Sequence, residues 1–203
     1  MATTHDIVVE IPKIDVRKLA LRVVGDSPLI THRWSEKAKR QILDKQMKKG
    51  KQAKEAKDPF RDFIDSLYWL SEQPTQVTEA SLAKASFGFP CVGFKAAAVT
   101  AASETDGMKM TQARRRFHVD GEFAELKGLP TMREDMVRIG MGTADIRYRG
   151  CFQTWETELT ISYNAASISP EQIVNLFNLA GFGVGIGEWR CEKDGSYGRF
   201  HIG

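Results

Sequence analysis

Six glycines crowd the stretch from Gly181 to Gly198, with Arg190, Lys193 and Arg199 beside them. Glycine lets a backbone come close to another group, and loop N–H groups and guanidinium forks both donate to phosphate oxygens. A dinucleotide fingerprint would need a helix straight after its last glycine, inside a βαβ unit. Here Glu188-Trp189-Arg190 follow Gly187, and only about a dozen residues remain after them. There is no room for that helix, and no G-K-[ST] occurs, so nucleotide cofactor loops are excluded. A phosphodiester backbone fits Gly185, Gly187, Arg190 and Arg199. The alternative is a tight connection that packs a helix against a sheet.

Other basic residues suited to phosphate are Lys95, Arg114, Arg115, Arg116, Arg147 and Arg149. Tyr148 sits between two arginines and has a ring on which a base can stack. Core packing is the simpler expectation for Trp189, and packing within the chain for Trp34. The four histidines, His5, His32, His118 and His201, show neither H-x-x-x-H nor H-E-x-x-H spacing, so no metal site is expected. There is no G-x-S-x-G, and Cys91 has no base near it in sequence. His32 titrates in the right range for general acid–base work in a metal-free ribonuclease. A loop histidine touching phosphate or solvent is the plainer expectation. Glu134, Asp135 and Asp145 are expected to pair with Arg133, Arg138 or Arg147. The chain is read as a non-enzyme without a cofactor.

These residues need elements to hold them. IVVEI, from Ile7, and KLALRVVG, from Lys18, read as β-runs, with Leu19, Leu21 and Val23 on one face. Gly25-Asp26-Ser27-Pro28 is a turn. Ser35 caps a helix reaching about Lys49, with a thin apolar face of Ala38, Ile42, Leu43 and Met47. Asp58-Pro59 opens another, with Phe60, Phe63, Ile64, Leu67 and Leu70 at helical spacing. A turn-rich Phe87–Gly93 leads into a small-residue helix from Phe94 to Ala102, continued by Met108 to Ala113. Phe117-His118-Val119 is a strand, and Met136, Val137 and Ile139 form a short one. Phe152 to Tyr163 alternates as one strand, with Trp155 in register. Ser169 and Pro170 open a helix that Gly181 ends, and Tyr197 to Ile202 closes the chain as a strand.

Length and charge bound the whole. With 203 residues, 42% hydrophobic and 27% charged, the chain is of ordinary globular composition and is read as one domain over residues 1–203. No apolar run nears the roughly 18 residues of a membrane span, and the N-terminus lacks the marks of a signal peptide. Three separated cysteines form no disulfide framework, which points to a reducing, cytoplasmic compartment. The net charge is only +3, yet Arg33 to Arg61 holds eleven Lys or Arg against four Asp or Glu. That surplus of +7 leaves the remainder at −4 and favours a polyanionic partner.

The β–α–glycine loop–β ending resembles that of the RAMP superfamily, the RNA-binding proteins of CRISPR systems. The matching stretches are Tyr148 to Tyr163, Pro170 to Ala180, Gly181 to Gly198 and Arg199 to Ile202. Phe89-Pro90-Cys91-Val92-Gly93-Phe94-Lys95-Ala96-Ala97 is similar to its turn-plus-lysine start of a small-residue helix. Leu19 to Leu29 resembles its first strand and Ser-Pro-Leu turn. The chain also has the character of a phage-encoded protein. The resemblance implies an α+β, ferredoxin-like or RRM-like antiparallel sheet with helices on one face. It also implies a basic helical insertion over residues 35–85, binding of RNA or single-stranded DNA along the backbone, and a homo-oligomer on the strand. Gly195-Ser196-Tyr197-Gly198-Arg199-Phe200 only partly echoes the base-stacking pattern of RRM domains. The alternatives are a phage single-strand annealing protein, or a phage structural or inhibitor protein that mimics a CRISPR subunit and binds a host partner.

Overall fold

The computed structural model describes residues 11–49, 56–139 and 142–203. Most of the IVVEI run therefore lies outside the described residues. The alternation of Leu19, Leu21 and Val23 becomes strand β1, Val16–Gly25, with Leu21 and Val23 buried. After the predicted turn comes β2, Leu29–Thr31. Helix α1, Glu36–Gln46, follows, with Ile42 and Leu43 exposed. Trp34, just before it, is 66% exposed and packs on no core, contrary to the expectation from sequence.

Helix α2, Pro59–Asp65, starts as its sequence dictates, the Asp58 carboxylate accepting the Arg61 N–H. It stops short of the apolar spacing. The Ser66 hydroxyl donates to the Phe63 carbonyl and accepts the Gly150 N–H, so the chain turns there onto another element. Phe60 and Leu70 are consequently exposed, while Phe63, Ile64 and Leu67 are buried. Helix α3, Glu79–Leu82, is a single capped turn. These three helices all fall within residues 35–85.

Phe87–Gly93 is not a loop. Strand β3, Phe87–Pro90, passes directly into α4, Cys91–Ala101. The next helix does not continue α4. A 3₁₀ turn and Gly107 at φ 93° separate it from α5, Met110–Arg116, which runs into β4, Phe117–Val119. Strand β5, Phe123–Lys127, comes next. The expected short strand is instead a long hairpin of β6, Pro130–Ile139, and β7, Thr143–Phe152. The Phe152–Tyr163 run is broken: β7 ends at Phe152 and β8, Glu156–Asn164, begins after buried Trp155. The Trp155 Nε1–H donates to the Ser27 carbonyl at 2.9 Å, which pins the corner.

Ser169 caps α6, Pro170–Leu179, accepting the Gln172 N–H in a reciprocal capping box. Gly181 does not end it. The helix runs on through a π turn, Ala180–Val184, and Gly185 at φ 71° stops it. Strand β9, Phe200–Ile202, is the last.

The main sheet runs β3-β5-β8-β1-β9, with β4 also paired to β8. All its pairings are antiparallel. In order of connection, β1, the β4–β5 arm, β8 and β9 give the 4-1-3-2 arrangement of a ferredoxin-like α+β fold. Helices α4 and α6 cover one face, and the small residues Ala97, Ala98 and Ala101 of α4 are buried. Edge-on ring pairs Phe94–Phe200 and Phe117–Phe177 fill the layer between. The opposite face of β1 and β8 carries Lys18, Ala20, Arg22 and Val24 opposite Ser162, Thr160, Glu158 and Glu156. None of these is aromatic. Phe200 is buried, so the partial RRM echo offers no stacking ring on these central strands. A second sheet, β2-β7-β6, stands beside the first, with α2 against β7.

Candidate nucleic-acid interface

The glycine loop is bound to the protein itself. The Glu188 N–H donates to the Ile30 carbonyl at 3.0 Å, and the Gly198 N–H to the Pro28 carbonyl at 2.8 Å. Gly187 has φ 77°, and a Cβ there would sit 2.5 Å from the Ile30 oxygen. A Cβ on Gly185, at φ 71°, would meet the Tyr197 and Gly198 carbonyls at 3.1 and 3.2 Å. Here the close backbone approach is to β2 and to the loop's own return strand. The loop bridges the two sheets.

Side chains continue that bridge. His32 Nδ1 lies 3.2 Å from Glu188 Oε1, and Arg149 Nη2 lies 3.6 Å from Glu188 Oε2. Arg149 also reaches Asp135 at 3.3 Å, Asp135 accepts from Arg133 Nε at 2.8 Å, and Arg133 donates to the Tyr197 hydroxyl at 3.0 Å. Arg133 also stacks over the Tyr197 ring, 4.7 Å from its centre. The His32 hydrogen bond holds the Glu188 carboxyl below the usual carboxylate range against the cost of burial, and the Arg149 charge adds to this.

Several arginines of the sequence reading are therefore already engaged. Arg149 is 4% exposed. Arg190 pairs with Glu192 at 2.7 Å and donates to the Gly187 carbonyl at 3.2 Å. Arg147 pairs with Asp145, which also takes Lys57, as the carboxylate reading expected. Tyr148 stands across the hairpin from Glu134, whose hydrogen bond raises the phenol's pKa. Arg199 is half-buried, and its Nε has no partner. Trp189, expected in the core, is 41% exposed at φ 54°.

Lys95 and the arginine run gather elsewhere. Lys95 lies on the side of α4 away from the glycine loop. Its Nζ is 2.9 Å from Nδ1 of the exposed His118 on β4. Arg114, Arg115 and Arg116 fill the last turn of α5, immediately before β4. Among the described residues none of these three has a carboxylate partner. Lys18, from the open face of the sheet, reaches Asp120 at 3.3 Å, and Asp120 also accepts from the Ser162 hydroxyl at 2.7 Å. This edge is a basic surface with charge to spare. His118 was passed over in the sequence because its lysine partner is 23 positions away. Asp135 has Arg133 two positions away, as the sequence suggested, but its contact with Arg149 and the contacts of Glu188 to His32 and Arg149 arise only in the fold.

Among the described residues no group of three or more His, Cys, Asp or Glu could hold a metal, and no helix is long and apolar enough to cross a membrane. The three cysteines are free, Cys91 and Cys151 being buried.

No protein-family model matches the chain, and no curated protein does. Solved structures do: 19 chains match. One is the crystal structure of Cmr6 from Pyrococcus furiosus, 8% identical, with a TM-score of 0.43 over 94% of this chain and 100% of that one.

Proposed function

We propose that this protein binds RNA or single-stranded DNA through phosphate contacts at the edge formed by Lys95, α5 and β4, without chemistry on the strand. The observation that carries this reading is the Lys95–His118 contact beside three uncompensated arginines. Asp120 answers Lys18, and the cationic groups in excess of that one acid leave donors facing solvent, where a phosphate oxygen supplies the missing charge. The polar open face, which has no rings on β1 and β8, favours backbone contacts over base stacking there. The resemblance to RAMP proteins agrees with this and adds assembly of several copies along one strand.

The test is strand binding against salt. Each phosphate contact adds roughly −0.7 to the slope of log affinity on log salt for single strands. Arg114→Ala with Arg115→Ala should weaken binding to unrelated sequences about equally and flatten the slope by roughly 1.4 for the two contacts. The strand should be recovered uncleaved. Unchanged affinity and slope in a folded variant would remove the edge from the interface.

A further inference from the structure

One face of α4 and the glycine loop border a half-open cleft of about 330 Å³. Its helical wall is Gly93, Ala96, Ala97 and Thr100, the i, i+3, i+4, i+7 set, and the loop supplies Glu188 and Arg190 opposite. Tyr68, Phe89, His32 and Glu192 also line it. Because Lys95 projects from another side of the same helix, the cavity is distinct from the basic edge. The surface between the two is open: Val92 is 70% exposed, and Ala96 is exposed beside it. A strand held at Lys95 can cross α4 there without meeting a large side chain.

The lining selects the kind of ligand. Two carboxylates, Glu188 and Glu192, line it, so a phosphate is disfavoured inside. A purely apolar ligand would leave the Thr100 hydroxyl and the remaining N–H groups of Arg190 unanswered, although His32 keeps Glu188 and Arg190 keeps Glu192 as partners. The aromatic wall of Tyr68 and Phe89 suits a flat ring, and the Glu188 carboxylate, the Thr100 hydroxyl and Arg190 offer both acceptors and donors to its edge. The volume lies at the small end of ligand cavities, about 300–1,000 Å³. We infer that this cavity seats a single nucleobase of the bound strand while its phosphates run across α4 towards Lys95. The inference rests on the strand-binding reading proposed above.

The experiment compares a single-stranded oligonucleotide with the same backbone made abasic, in RNA and DNA forms, by fluorescence anisotropy. Wild-type protein should prefer the base-bearing strand by at least about fivefold, the low end of a lost base contact. Ala96→Leu and Thr100→Leu fill the cavity from helix positions that are not fully buried. Both should erase that preference, and Thr100→Leu, away from the crossing at Val92 and Ala96, should leave abasic binding unchanged, whereas Lys95→Ala should weaken both strands. Equal binding of the two strands by wild type, or a preference that survives both filled variants, overturns the inference and leaves the basic edge standing. If neither strand binds, adenosine, guanosine and uridine monophosphates decide. Saturable binding that Ala96→Leu abolishes would keep the base site while the strand reading falls, and no binding would overturn both.

Discussion

Gly187 in the loop and Gly183, four residues earlier in the π turn that ends α6, obey opposite constraints. At Gly187 the backbone is left-handed and the Ile30 carbonyl stands where a side chain would begin. A non-glycine residue in such a conformation costs on the order of 1–3 kcal/mol before the clash is counted. Gly183 has nothing within 4 Å of a built Cβ and no positive φ. Gly187→Ala should therefore destabilise the fold by at least about 2 kcal/mol. Gly183→Ala should be neutral or stabilising by about 0.4–1 kcal/mol. Urea midpoints of the two variants check this, and equal midpoints would mean that Ile30 is not the reason for the glycine. The caps at Ser169 and Asp58-Pro59 were legible at this scale, because a cap bonds within its own first turn. The role of Gly187 was not, because the Ile30 carbonyl it approaches lies on β2, more than 150 positions earlier.

Between elements, the same loop holds the two sheets together through Glu188. That carboxylate joins β2 by way of His32 and β7 by way of Arg149, and the chain of contacts continues through Asp135 and Arg133 to Tyr197. The folded pKa of Glu188 lies below the ordinary value, first because of the His32 hydrogen bond. Its contribution to stability is thus fully present above the unfolded value, about 4.3, and is lost as pH falls through the lower folded value. Glu188→Gln should reduce stability at neutral pH and shrink the loss of stability between neutral and acidic pH. Chemical denaturation at a series of pH values reads both effects, and an acid limb as steep as that of the wild type would show that the loop is not anchored by this charge. The hairpin itself was hidden in the sequence. Its two faces read as mixed, with Met132, Met136 and Ile146 exposed on one and Arg133, Asp135 and Arg149 bonded to one another on the other. Neither pattern looks like a strand with one apolar side.

Across the molecule, charge is divided between the arm and the body. Residues 37–57 hold nine Lys or Arg and two Asp or Glu, so their deletion takes the net charge from +3 to −4. The Lys95 edge lies outside that segment and should continue to bind a single strand, more weakly because long-range attraction is lost. Anisotropy with a labelled strand tests it. A deleted protein that folds yet binds no better than an unrelated neutral protein would place the interface on the arm. The lost Lys57–Asp145 pair is exposed and should cost little stability.

The ferredoxin-like class was implied by the resemblance; the sequence's own pattern was enough for the parity of β1 and β8, the capped starts of α2 and α6, and the closing strand. Each of these is written in neighbours a few residues apart, where hydrophobic period and cap chemistry act. Tertiary structure decided which arginines are left over. Arg133, Arg149 and Arg190 look like Arg114 and Arg115 in a string of letters. Strand pairing brings Asp135 to Arg149, the loop's bond to β2 brings Glu188 there, and a local turn brings Glu192 to Arg190, while among the described residues no carboxylate pairs with the arginines at the end of α5. A charge is available to a partner only when the fold leaves it uncompensated, and compensation depends on distances of a few ångströms between residues far apart along the chain.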